Sequence, residues 1–240
     1  MAAFIPPDHP DRSAIMDEVH ARPVEIIPET CRVRRLVVVM PSEPGAMQQA
    51  FERFAQFRAT MGAETLQSSS RQYSFETPTR AVTWEFHTEF ITITWRAASD
   101  DSENWPDDIG LEAIGDGQLI GAARVDVIEE TVIPDRLLGS FNLASLCLAD
   151  VESGKAQVAT DFIPDAARFT RLEFAAGGLT TLRRSIILRR LLEVETYRCM
   201  ALLGLPLARA ASHDVRDMET KLAQVIDRMS DVTNPSNAKE

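Results

Sequence analysis

Acidic, basic and aromatic side chains alternate in one stretch of the chain, AVTWEFHTEFITITW, residues 81–95. In an extended strand, Glu85, His87 and Glu89 would share one face, with neighbours about 7 Å apart. Histidine with Asp or Glu suits zinc, iron or manganese, and the same groups could act as a general base with an orienting acid. The alternative is that the two glutamates pair with arginines on a solvated face of a sheet.

A second run with the same residue types lies near the N-terminus. In MDEVHARPVE, residues 16–25, Glu18, His20 and Arg22 stand two apart. His20 would add a second imidazole to the first stretch, and Arg22 could bind a carboxylate or phosphate through two hydrogen bonds. The more economical interpretation is structural, with Arg22 pairing with a glutamate and docking this segment on the sheet. Both interpretations predict one cluster formed by His20, Arg22, Glu85, His87 and Glu89.

Composition narrows the classes of function. The 240 residues carry a formal net charge of −11, which disfavours nucleic acid as a partner because phosphate binding needs clustered Lys and Arg. Cys31, Cys147 and Cys199 are widely spaced and form no zinc-binding motif, so they indicate reduced thiols in the cytosol. No Gly-rich phosphate loop, GxSxG motif or Cys-His arrangement appears, and the sequence therefore predicts no cofactor and no metal required for folding.

The first half of the chain predicts an α+β unit. Its elements alternate in the order β-α-β-β-α-β, which is typical of a ferredoxin-like split βαβ unit, here over residues 33–130 after an N-terminal docking segment, residues 1–32. The predicted elements are the strand Arg34–Met40, the helix Glu43–Met61, the strands Arg80–Phe86 and Thr88–Arg96, the helix Trp105–Ile114 and the strand Ala122–Glu130.

The second half predicts a second small β-rich unit, residues 131–178, packed on the first, and then C-terminal helices, residues 179–240. A long helix over Leu182–Leu203 should reverse in a loop from Gly204 to about His213, forming a helical hairpin. The last helix has apolar residues at steps of three and four, the a/d pattern of a coiled coil. Its first half should pack on the long helix, and the pattern marks the start of a longer coiled coil. The seam residues are Val215, Met218, Leu222, Val225, Met229 and Val232.

Several stretches carry a family resemblance. They are His9-Pro10 with Arg12, the ExHARP run from Glu18 to Pro23, WExHTEF from Trp84 to Phe90, Thr160-Asp161-Phe162, Arg171, and RLLEVETYRCMALLGLPLAR from Arg190 to Arg209. Together they resemble a bacterial family described as predicted membrane-anchored proteins, domain of unknown function 3422. The resemblance implies a longer protein that continues through a coiled coil to C-terminal apolar helices, anchored to the inner membrane and facing the cytoplasm. It implies no activity, substrate or cofactor.

The resulting expectation is a ligand- or partner-binding module that oligomerises through its C-terminal helix and is not an enzyme. As given, the chain has no signal peptide and no apolar run of the roughly 20 residues needed to span a bilayer, so it should be soluble. Two alternatives remain open. One is a metal-dependent hydrolase-type enzyme using His20, Glu85, His87 and Glu89. The other is a small-molecule sensor, by analogy with ferredoxin-like domains that bind ligands on their sheet faces.

Overall fold

The computed structural model of the protein describes residues 7–10, 12, 24–62 and 71–233. In these residues the chain forms one eight-stranded mixed sheet, helices that pack on its two faces, and a C-terminal helical stretch. The predicted α+β class is therefore confirmed. None of the helices in the described ranges contains a run of apolar residues that could span a bilayer.

The strands are β1 (Cys31–Val39), β2 (Gln72–Glu76), β3 (Ala81–Phe86), β4 (Phe90–Ala97), β5 (Gln118–Ile128), β6 (Cys147–Val151), β7 (Ala156–Thr160) and β8 (Thr170–Ala175). The helices are α1 (Ala46–Thr60), α2 (Asp135–Leu138), α3 (Thr181–Leu203) and α4 (Leu205–Thr233), with a 3-10 turn at Leu111–Ile114. The order across the sheet is β2-β3-β4-β1-β5-β8-β7-β6. Neighbouring strands pair antiparallel except β5 and β8, which run parallel.

The predicted ferredoxin-like unit is not confirmed as a whole. Its strands follow the order β3-β4-β1-β5, which is compatible with a split βαβ unit, since β1 and β3 are each antiparallel to the β4 strand between them and so run parallel to each other. The second helix predicted for that unit is only the 3-10 turn, which lies between Gly110 (φ 81°) and Gly115 (φ 60°). Both glycines have a positive φ, which ends regular helix on each side. A Cβ at Gly110 would also lie 2.7 Å from the ring of Phe57.

One face of the sheet, the aromatic face, packs against α1. Phe54 of α1 is fully buried and stacks on Trp84 of β3 with ring centroids 4.6 Å apart. Tyr73 and Phe75 join this core from β2, an edge strand that the sequence analysis did not predict. Short strands with two buried side chains carry little periodic signal, which explains why β2 was missed.

The opposite face, the α3 face, packs against α3. Ile187, Leu188 and Leu192 of α3 lie in one core cluster with apolar residues of β1, β5, β7 and β8. The residues predicted to form a second β-rich unit, 131–178, supply β6, β7 and β8 of this same sheet. Residues 7–196 of the described chain therefore share one sheet and its two covering layers.

The C-terminal helices follow each other without the predicted reversal loop. Only Gly204 separates α3 from α4, and the backbone N–H of Ala208 donates to the Gly204 carbonyl at 3.0 Å. The predicted loop is wrong because Pro206 lies in the first turn of α4, where its missing N–H costs no helical hydrogen bond. The described seam side chains of α4, from Val215 (51% exposed) to Met229 (66%), are exposed.

Candidate functional site

The pairing of three strands brings a charged pair together on the α3 face. Arg35 of β1 lies opposite Thr94 of β4, and Glu85 of β3 lies opposite Thr92 of β4. Residues paired across strands project to the same side of a sheet. Arg35 and Glu85 are 50 positions apart in sequence, and β4 between their strands places them side by side.

The hydrogen bonds around this pair are well formed. Nη2 of Arg35 donates to Oε2 of Glu85 at 3.1 Å, and Nε of Arg35 donates to Oγ1 of Thr94 at 2.8 Å. Oγ1 of Thr92 donates to the same Glu85 oxygen at 2.8 Å. Both charged residues are more than nine-tenths buried. A buried ion pair is tolerated when such additional hydrogen bonds satisfy its remaining groups.

A cavity of about 50 Å³ lies between this pair and α3. A second ion pair borders it, with Nε of Arg96 3.7 Å from Glu25, and Glu25 also accepts from Thr83 Oγ1 at 3.3 Å. The other side of the cavity is apolar. The apolar lining residues are Ile27, Val33, Leu188 and Leu192.

The cavity offers more hydrogen-bond donors than acceptors. Three arginines line it, against two glutamates, and each guanidinium carries five N–H donors. Nη1 of Arg35 has no hydrogen-bond partner among the described residues and is not buried out of reach of solvent. Burial lowers the pKa of Arg35 from its ordinary value, and the nearby charge of Glu85 opposes that shift. An added acceptor of negative charge would therefore complement this cavity.

The sequence-predicted residues are divided between two environments. Glu85 lies in the buried pair, but β3 ends at Phe86, so His87 and Glu89 fall in the turn before β4. The expectation that the three share one strand face is wrong, because the turn interrupts the alternation. His87 stacks on Phe90 at 4.0 Å, and Glu89 is exposed, with its backbone carbonyl accepting from Met40 N–H.

The other two residues of the predicted five-residue cluster, His20 and Arg22, lie outside the described residues. The convergence of the five side chains therefore stays a prediction. Among the residues that the structure describes, no three His, Cys, Asp or Glu side chains are grouped as a metal ion would need. Glu85, His87 and Glu89 therefore do not constitute a metal site without further ligands.

Sequence reasoning missed Arg35, although a signal for it was present. Arg34 and Arg35 lie buried in a central strand that, apart from Arg32, is otherwise apolar, and a charged residue in a buried strand needs a partner. Asking which acid faces each arginine would have pointed to Glu85 for one of them. Thr92 and Thr94 carry no comparable signal, because threonine is common in strands.

These features define a class of protein: an α+β domain with a mixed sheet and a buried arginine–glutamate pair at an internal cavity. The family model for a protein of unknown function (DUF3422) matches residues 7–240, and the chain therefore belongs to that family. Comparison with curated proteins and with solved structures finds no significant match.

Proposed function

We propose that this chain is a binding module that takes a short-chain carboxylate into the cavity between the sheet and α3. The observation that carries the proposal is the buried Arg35–Glu85 pair, whose arginine keeps one guanidinium nitrogen available at the cavity. A carboxylate would accept from Nη1 of Arg35, forming a charge-assisted hydrogen bond in a partly desolvated setting. Its alkyl chain would lie on the apolar side of the cavity.

The size and polarity of the cavity set the class of ligand. Drug-sized ligands occupy roughly 300–1,000 Å³, whereas this cavity has about 50 Å³, so the ligand has few non-hydrogen atoms. Both glutamates already accept hydrogen bonds from protein donors. An amine would therefore compete with existing partners, while an acid would use the surplus of donors.

Binding is favoured over catalysis by the hydroxyl groups at the cavity. Ser185 is the lining serine, and its Oγ accepts from Ile27 N–H at 3.0 Å while it donates to the Thr181 carbonyl at 2.9 Å. A nucleophilic serine instead needs an adjacent general base. The described residues that line the cavity include no histidine or cysteine to supply one.

Calorimetric titration with acetate, propionate and butyrate tests the proposal. We expect saturable binding of at least one acid, and at least tenfold weaker binding of the matching neutral amide. The double variant Arg35→Met with Glu85→Gln should bind at least tenfold more weakly. It removes both charges together, so no unpaired charge remains buried.

The matched control is Arg53→Met, which makes the same replacement at α1 on the aromatic face, where Arg53 donates to the Ala113 carbonyl at 3.0 Å. This variant should bind the acid as the wild type does. If none of the three acids binds saturably, or if the double variant binds like the control, the proposal is wrong.

The exposed seam of α4 supports a second function, self-association of the chain through this helix. A helix with one apolar stripe becomes stable by burying that stripe, and the described seam residues are at least about half exposed. Sedimentation equilibrium over a wide concentration range tests this self-association. We expect a dimer at high concentration, and a monomer at every concentration would contradict the proposal. The anchoring to the inner membrane that the family resemblance implies stays a prediction.

A further inference from the structure

We infer that α4 pairs with α4 of a second copy in an antiparallel orientation, with a two-fold axis close to Thr220. This inference rests on the proposed self-association and adds the partner, the orientation and the register. The helix has 29 residues, a length of about 43 Å at 1.5 Å per residue, which is enough for a pairing of several layers.

The sizes of the seam residues favour this orientation. The steps of three and four continue backward from Val215 to two small residues near the start of α4, Ala211 and Ala208, whereas larger seam residues follow up to Met229. In a parallel pair of helices each residue meets its own copy. Alanine would therefore meet alanine at one end of the pair and leave poorly filled space there. In the antiparallel register every small residue meets a large one. The layers then pair Ala211 with Met229, Val215 with Val225 and Met218 with Leu222.

The charges beside the seam favour the same orientation. In a parallel pair, Asp214 of each copy would face Glu219 of the other, two repulsive contacts. In the antiparallel pair, Asp214 faces Arg228 of the second copy, and symmetry makes this attractive contact twice. Asp214, Glu219 and Arg228 are all exposed and able to make these contacts.

Two contacts near the axis oppose the pairing. Lys221 of one copy meets Lys221 of the other, and Glu219 meets Glu219, on opposite sides of the seam. Exposed like-charge contacts of this kind are weak, and both side chains are long enough to turn toward solvent. The antiparallel pair should therefore form with modest affinity.

Reversing one charge separates the two orientations by the sign of its effect. In the antiparallel pair, Asp214→Arg turns two attractive contacts into repulsive ones and should raise the dimer dissociation constant about tenfold. In a parallel pair the same variant would create two attractive contacts with Glu219 and lower that constant. Asp217→Arg makes the same charge change on the outer side of α4 and should leave the constant within about twofold.

Cysteine cross-linking tests the register directly. In a background with Cys147→Ser and Cys199→Ser, separate Val215→Cys and Val225→Cys proteins are mixed and oxidised. The antiparallel register predicts a covalent dimer between the two proteins. It predicts none from Val215→Cys alone, since the two copies of position 215 would be about 15 Å apart along the axis.

The outcomes distinguish the two proposals. A monomer at all concentrations overturns both the self-association and its orientation. A dimer that Asp214→Arg tightens, or that cross-links through Val215→Cys alone, leaves the self-association intact and overturns the antiparallel register. Circular dichroism of each variant checks that the helix content is unchanged.

Discussion

Arg34 and Arg35 are neighbours in β1, yet they face opposite sides of the sheet and meet different partners. On the aromatic face, Arg34 is fully buried and donates to Asp101, through Nη1 to the carboxylate at 3.1 Å and through Nη2 to the carbonyl at 3.0 Å. On the α3 face, Arg35 donates to Glu85 and Thr94 and reaches a cavity.

The difference is consistent with the proposed function, in which β1 has a structural role on the aromatic face and a binding role on the α3 face. Asp101 belongs to a loop, and its contact with Arg34 fixes that loop on the sheet. Glu85 belongs to β3, which the ladder through β4 already holds in the same sheet as β1, so its contact with Arg35 attaches no further segment to the sheet. The nitrogen that Arg35 keeps at the cavity is therefore available for a ligand.

The largest expected effect is on the Arg34 side. Asp101→Ala should lower the free energy of unfolding by about 3–5 kcal/mol, because it leaves a fully buried guanidinium without its carboxylate. Urea denaturation measures this change. Asp100→Ala, at the exposed neighbouring position, should cost under about 0.5 kcal/mol. Equal effects of the two variants would show that the Arg34 contact is not structural.

A second effect on the aromatic face depends on pH. Burial, followed by the charge of Asp126, raises the pKa of Glu173 to about 7, against the opposing charges of Arg171, Arg124 and Arg32. The pKa of Glu173 in the folded protein lies above its unfolded value of 4.5. The stability that the protonated Glu173 side chain contributes is therefore fully present below about pH 4.5. That stability is lost as the pH rises through 7.

Glu173→Gln should therefore gain stability over the wild type between pH 5 and pH 8, by about 2–3 kcal/mol. Thermal unfolding across this range measures the difference between the two proteins. Glu76→Gln, an exposed position on β2, is the control and should track the wild type. A constant difference between Glu173→Gln and wild type at all pH values would contradict the assignment.

A smaller effect is expected on the Arg35 side. Glu85→Gln should lower the free energy of unfolding by about 1–2 kcal/mol, since the amide oxygen still accepts a hydrogen bond but no longer offsets the charge. Acetate or propionate should restore part of this loss by binding at Arg35. Neither anion should rescue Asp101→Ala, whose arginine is enclosed. If the anions restore the stability of both variants, or of neither, the expected difference between the Arg34 and Arg35 sites is contradicted.

The smallest expected effect is that of removing metal. Incubation with a chelator should leave the melting temperature within about 1 °C of that of the untreated protein, because the described residues hold no group of three ligands for a metal ion. Elemental analysis of the same sample provides the second measurement. If the chelator lowers the melting temperature by several degrees and the protein contains stoichiometric metal, the metal-dependent hydrolase that uses His20 and His87 becomes the favoured hypothesis.

Local sequence patterns predicted many elements of the fold. The apolar run after Arg35 identified β1, the spacing of Ala50 and Phe54 identified α1, and the apolar steps from Leu182 identified α3. Glu85 was also selected from sequence, and it is part of the candidate site. Its partner was missed because the two residues are joined only through strand pairing.

The sequence by itself determined most of the segments that become helix or strand, because steric preference and apolar spacing act over a few residues. Only the tertiary structure decided that β8 pairs with β5 and so extends the same sheet to β7 and β6. It also decided that Arg34 meets a loop while Arg35 meets Glu85 beside a cavity. Such pairings close long loops of chain, and their outcome depends on competition among all strands rather than on any local pattern.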